Sequence, residues 1–102
     1  MSEWINACNL DQVPDGQLFG FTHDNKKILL ANIKGKIHAT DLICTHADAD
    51  LSTGFLSDEG VRCPLHLSVF NMESGAPQNL PAEKPLTVYN VKIDDNKIYV
   101  EV

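Results

Sequence analysis

Two cysteine–histidine pairs constrain this chain more than any other feature of it. They are Cys44-Thr45-His46 and Cys63-Pro64-Leu65-His66, with sixteen residues between His46 and Cys63. Each pair offers one soft thiolate and one imidazole. The pairs can converge on a common centre only if the fold sets two loops side by side. A structural zinc site normally pairs Cys with Cys in one half and His with His in the other. Mixed halves suit a two-iron, two-sulfur cluster instead, with Cys44 and Cys63 on one iron and His46 and His66 on the other. Two His can replace two Cys on one iron of such a cluster. On the residues alone, zinc and two unrelated pairs in separate loops stay open as alternatives.

The rest of the chain must therefore supply a rigid frame. Residues 17–22, 26–33 and 36–43 are predicted as successive strands, with Asp24-Asn25 and Lys34-Gly35 marking the turns between them. Residues 86–93 and 97–102 flank Asp94-Asp95-Asn96, a further hairpin signature. Ile98, Val100 and Val102 alternate with Tyr99 and Glu101, the period of a half-buried strand. No sustained helical stripe appears. Many short strands at close spacing predict a small all-β sandwich or barrel. Residues 44–83 break the pattern with Gly54, Gly60, Pro64, Gly75, Pro77 and Pro81, and read as a loop-rich insert of a functional kind.

The resemblance extends past the ligands. Cys44-Thr45-His46, Leu51-Ser52-Thr53-Gly54, Cys63-Pro64-Leu65-His66, Phe70 and Ser74-Gly75 together resemble the Rieske ferredoxin family. The likeness covers nearly the whole chain and is greatest to the ferredoxin components of bacterial aromatic-ring oxygenases. It implies an antiparallel β sandwich with a loop-rich cluster-binding subdomain. Residues 1–102 would form one Rieske domain, with the subdomain at about 44–83. It also implies one 2Fe–2S cluster, ligated by His46 and His66 through Nδ1, and a third loop at Leu80-Pro81-Ala82 covering it. The implied role is one-electron carriage from a reductase, flavin-dependent or similar, to a terminal oxygenase, with no catalysis by the chain itself. The small Rieske-like subunit of an assimilatory nitrite reductase is the alternative. Most members have Gly after the second His, where this chain has Leu67. Respiratory members carry a loop-bridging disulfide at the positions of Ala49 and Leu65, so none is expected here. They also place Ser and Tyr at the positions of Ser68 and Phe70, and Phe70 has no hydroxyl to give.

Composition narrows the partners. The 102 residues, 43% of them apolar, suit one compact domain. A net charge of −6 argues against nucleic acid, which needs clustered Lys and Arg. It suits a soluble protein that docks briefly on a basic surface, and Asp48 and Asp50 beside His46 predict a negatively charged docking tip. Met1-Ser2-Glu3-Trp4-Ile5-Asn6 shows no secretory pattern, and no apolar run reaches membrane-spanning length, so a cytoplasmic protein away from membranes is expected. Three cysteines fit a reducing compartment better than a disulfide framework. Cys8 and Trp4 read as buried structural residues, Trp4 as a core anchor. His23 is expected to be solvated and His38 partnered or exposed. Asp48, Asp50, Asp58 and Glu59 read as solvated loop charge.

Overall fold

The computed structural model of this chain describes residues 3–43, 50–57, 60–63, 69–77 and 85–102. Its strands, in chain order, are β1 (Trp4–Asn9), β2 (Leu18–His23), β3 (Lys26–Ile33), β4 (Lys36–Asp41), β5 (Phe55–Ser57), β6 (Gly60–Arg62), β7 (Val69–Phe70), β8 (Val88–Tyr89), β9 (Val91–Asp94) and β10 (Lys97–Glu101). Only antiparallel pairs occur among them, in sheets ordered β1-β10-β9, β2-β3-β4-β8 and β5-β6-β7. The all-β expectation holds.

β3 decides the layering. Its run Ile28-Leu29-Leu30-Ala31 is apolar without alternation because both of its faces are buried. Ile28 and Leu30 face a core shared with Ile5, Val13, Ile37, Ala39, Ile98 and Val100, closed by the β1-β10-β9 sheet. Leu29 and Ala31 face a second core, containing Leu42, Leu51, Val61, Cys63, Phe70, Met72 and Leu86. The second core includes Cys63, the first residue of the second cysteine–histidine pair.

The hairpins follow from turn chemistry. Asp24 and Asn25, Lys34 and Gly35, and Asp95 and Asn96 all have positive φ, as two-residue type I′ turns require. Such turns match the twist of the strands they join, so they fix the β2–β3, β3–β4 and β9–β10 registers.

Three sequence expectations are corrected, and one strand is added to those predicted from the sequence. Residues 86–93 are not one strand: β8 pairs with β4 and β9 pairs with β10, so the chain changes sheets at Asn90. Residues 4–9 form a strand that alternation does not reveal, because the register shifts between Asn6 and Cys8. Trp4 is 39% exposed rather than a core anchor, with Lys92 Nζ 4.6 Å from its ring centroid. The insert holds a three-stranded sheet, β5-β6-β7, whose strands of two or three residues are too short to show a period.

Candidate metal centre

Cys63 directly follows β6 and is fully buried, among the apolar side chains of the second core. It forms no disulfide. Cys44, His46 and His66 lie outside the described residues, as do Asp48, Ala49, Asp58, Glu59, Leu65, Leu67, Ser68 and the Pro81 segment. The described residues supply the frame that flanks those candidate ligands in the chain.

Two antiparallel closures form that frame. Ile43 bridges Asp50, and Leu51 donates its amide to the Leu42 carbonyl at 2.9 Å, which is the first closure. Arg62 pairs with Val69, which is the second. The closures are neighbours: Leu42 and Leu51 from the first pack in one buried cluster with Val61 and Cys63 from the second. Gly54 shows how close they lie, since a Cβ there would run into the Arg62 carbonyl oxygen. Gly60, at φ +138°, would likewise drive a Cβ into the Phe70 carbonyl, so β6 and β7 approach closely only with glycine there.

This frame fits a cluster. A metal held by both loops needs their bases adjacent, and they are adjacent. An inner soft ligand should be shielded from water, and Cys63 is. Phe70, also fully buried, occupies the same cluster and brings no hydroxyl to it.

Asp50 is exposed but is not simply solvated. Its carboxylate accepts from the Ser52 amide at 2.8 Å and from the Ser52 hydroxyl at 2.5 Å, capping the 3-10 turn Leu51–Thr53. Thr53 Oγ1 donates to the Asp50 carbonyl at 2.7 Å, completing the knot. The Ser-Thr-Gly stretch after the first pair is thus the device that ends the first loop and turns the chain toward β5.

The other sulfur and imidazole groups stand apart from this frame. Cys8 is half-buried on β1 against the first core, and burial followed by the charge of Asp11 pushes its thiol up. His23 sits 3.4 Å from the Asp24 carboxylate. His38, half-buried on β4, is held below its usual range by burial and then by Lys36, with Glu73 opposing.

With the geometry in view, comparison with known proteins places the chain. The Rieske [2Fe–2S] domain family matches residues 3–90, and the chain belongs to that family. Its cofactor is one Rieske-type 2Fe–2S cluster. The ferredoxin component of the naphthalene 1,2-dioxygenase/salicylate 5-hydroxylase systems of a Ralstonia species is 36% identical over 99 residues, covering 97% of this chain and 95% of that protein. The ferredoxin of carbazole 1,9a-dioxygenase from Nocardioides aromaticivorans IC177 superposes with a TM-score of 0.89 at 30% identity, over 95% of each chain. A complex of reduced oxygenase and oxidised ferredoxin from carbazole 1,9a-dioxygenase matches with a TM-score of 0.90 at 28% identity, over 95% of this chain and 91% of that one. The small subunit of a nitrite reductase from Mycobacterium tuberculosis matches with a TM-score of 0.88 at 22% identity, over 100% of this chain and 96% of that one, a likeness of fold alone.

Proposed function

We propose that this chain is a one-electron carrier that takes electrons from a flavin-dependent or similar reductase and delivers them to a terminal oxygenase, without catalysing a reaction itself. Cys44 and Cys63 hold one iron of its cluster, and His46 and His66 hold the other. The observation that carries this reading is the adjacency of the two loop closures, from which two Cys-to-His pairs depart. Likeness over nearly the whole chain to ferredoxin components of dioxygenase systems supports the oxygenase as acceptor.

The cluster, when bound, supplies a site that accepts and releases one electron. The protein supplies the rest. Cys63 shares a buried apolar cluster with Leu42, Leu51, Val61 and Phe70, so an iron it held would be shielded from water on that side. His46 and His66 would hold the other iron, and a partner would meet their imidazoles first. A cytoplasmic location is part of this proposal, supported by the likeness to ferredoxin components of dioxygenase systems. Among the described residues no helix is long and apolar enough to cross a membrane.

Single-turnover transfer tests this. Reduced protein mixed with the oxidised oxygenase of its own system should be reoxidised as the oxygenase is reduced. An oxygenase that stays oxidised beside persistently reduced carrier would contradict the reading. Docking is tested by Asp48→Lys with Asp50 left intact, because Asp50 is tied up as a cap. Transfer should slow at low salt and recover when charge is screened beyond about 8 Å at physiological ionic strength. Unchanged rates at low salt would move the docking surface elsewhere.

A further inference from the structure

β8 is a strand of two residues, pairing with β4 only at Ala39↔Tyr89 and Thr40↔Val88. A ladder this short holds weakly by itself. Asp41, the last residue of β4, reinforces it. The Asp41 amide donates to the Thr87 carbonyl at 3.0 Å. One carboxylate oxygen accepts from the Thr87 amide at 3.0 Å, and the other accepts from the Tyr89 hydroxyl at 2.8 Å. Bonds to an ionised acceptor are roughly twice as strong as neutral ones. Lys26 Nζ lies 5.8 Å from the Tyr89 ring centroid and covers the pair. Burial, and then Asp41 itself, push the Tyr89 hydroxyl up to about 12, so it keeps its proton and remains a donor at ordinary pH.

The clamp is linked to the metal frame by its neighbours. Leu42, next to Asp41, and Leu86, next to Thr87, are both buried in the cluster that holds Cys63. Leu42 donates its amide to the Lys27 carbonyl at 3.0 Å, and Leu86 donates to the Gly75 carbonyl at 2.7 Å. Each dipeptide thus has one residue in the clamp and one in the buried cluster that includes Cys63. We propose that Asp41 is a positioning residue: through Thr87 and Tyr89 its carboxylate fixes Leu42 and Leu86 around Cys63, and so sets the environment of that thiolate. This rests on the assignment of Cys63 to iron.

The experiment uses the cluster-loaded protein, with Tyr89→Phe and Asp41→Asn compared against the parent and against Ile98→Ala, a packing defect in the other core. Two quantities are read: deuterium exchange of the peptide containing Thr87, and the cysteine-to-iron charge-transfer bands in visible circular dichroism. In both clamp variants, exchange at Thr87 should rise roughly tenfold, as expected for loss of one hydrogen bond to a charged acceptor. The charge-transfer bands should shift in both, and should stay as in the parent in Ile98→Ala. Bands that superpose on the parent while Thr87 exchange rises would reduce Asp41 to a stitch at a sheet edge and overturn the proposal. Unchanged exchange would overturn it too. If Asp41→Asn fails to fold, Tyr89→Phe, which removes one hydroxyl, decides alone. A parent lacking a Rieske spectrum would instead overturn the ligand assignment, separately from any variant.

Discussion

The two faces of β3 are closed by different means. Toward the β1-β10-β9 sheet the covering strands are four to six residues long, and a type I′ turn joins β9 to β10. The alternation of Ile98 and Val100 with Lys97, Tyr99 and Glu101 is enough to place that layer. Toward the β5-β6-β7 sheet the strands have two or three residues. That layer is placed by contacts a period cannot encode: backbone against backbone at Gly54 and Gly60, the Asp50 cap, and the Asp41 clamp. One face specifies itself by pattern. The other is assembled around a place where two loops must meet, and the bound cluster would complete it.

Paired truncations in the two cores should have the largest effect. Leu51 and Ile98 are both fully buried, one in each core. Either change to Ala should cost about 2–5 kcal/mol. Denaturant unfolding should show comparable losses, yet only Leu51→Ala should also speed cluster loss to a chelator under native conditions. Equal cluster loss from Ile98→Ala would mean that the two faces behave as one unit.

A smaller effect sharpens the same contrast. Gly60→Ala forces a Cβ toward the Phe70 carbonyl at a positive φ and should destabilise by about 1–3 kcal/mol. Increased exchange should be confined to β5, β6 and β7, with β10 unaffected. Gly35→Ala, in a turn where a Cβ meets nothing within 4 Å, meets only the strain of its φ of +88° and separates conformational cost from collision.

The smallest effect is in pH. The Tyr89 hydroxyl is raised above its ordinary value of 10.0 to about 12. A group raised on folding stabilises fully below its unfolded pKa and loses that contribution as pH rises through the folded one. The Asp41–Tyr89 bond should therefore contribute up to about pH 10 and be lost by about pH 12. Tyr89→Phe should lower stability at neutral pH by about 1 kcal/mol. It should also flatten the decline between those limits, read by thermal midpoints across the range. A parallel decline in both proteins would show that the bond contributes nothing.

What the sequence discloses follows the same division. β2, β3, β4 and β10 are legible because Asp24-Asn25, Lys34-Gly35 and Asp95-Asn96 are turn pairs that tolerate positive φ and sit between apolar runs. β1 is hidden by its register shift, and the break at Asn90 by an apolar run that continues across it into a second sheet. Trp4 misleads because a large aromatic reads as core, whereas at an edge strand it is covered by Lys92 instead. At the site, the four candidate ligands are visible as residue types at a mixed spacing. The devices that bring their loops together are not visible in this way. Asp50 reads as loop charge until its cap is seen, and Asp41 as one more strand-end acid until Thr87 and Tyr89 converge on it from more than forty residues away. The Ser two residues after Asp50 is the one local signal that could have marked the cap.

In the ligation proposed above, two imidazoles and two thiolates hold this protein's cluster, with Cys44 and Cys63 on one iron and His46 and His66 on the other. Pulsed electron–nuclear resonance on the reduced protein, with histidine labelled by nitrogen-15, tests it most directly. The account predicts strong coupling to two directly bound histidine nitrogens, reduced to one or lost with the cluster in His46→Ala. A cluster signal without directly bound nitrogen, or one unchanged in His46→Ala, would contradict it.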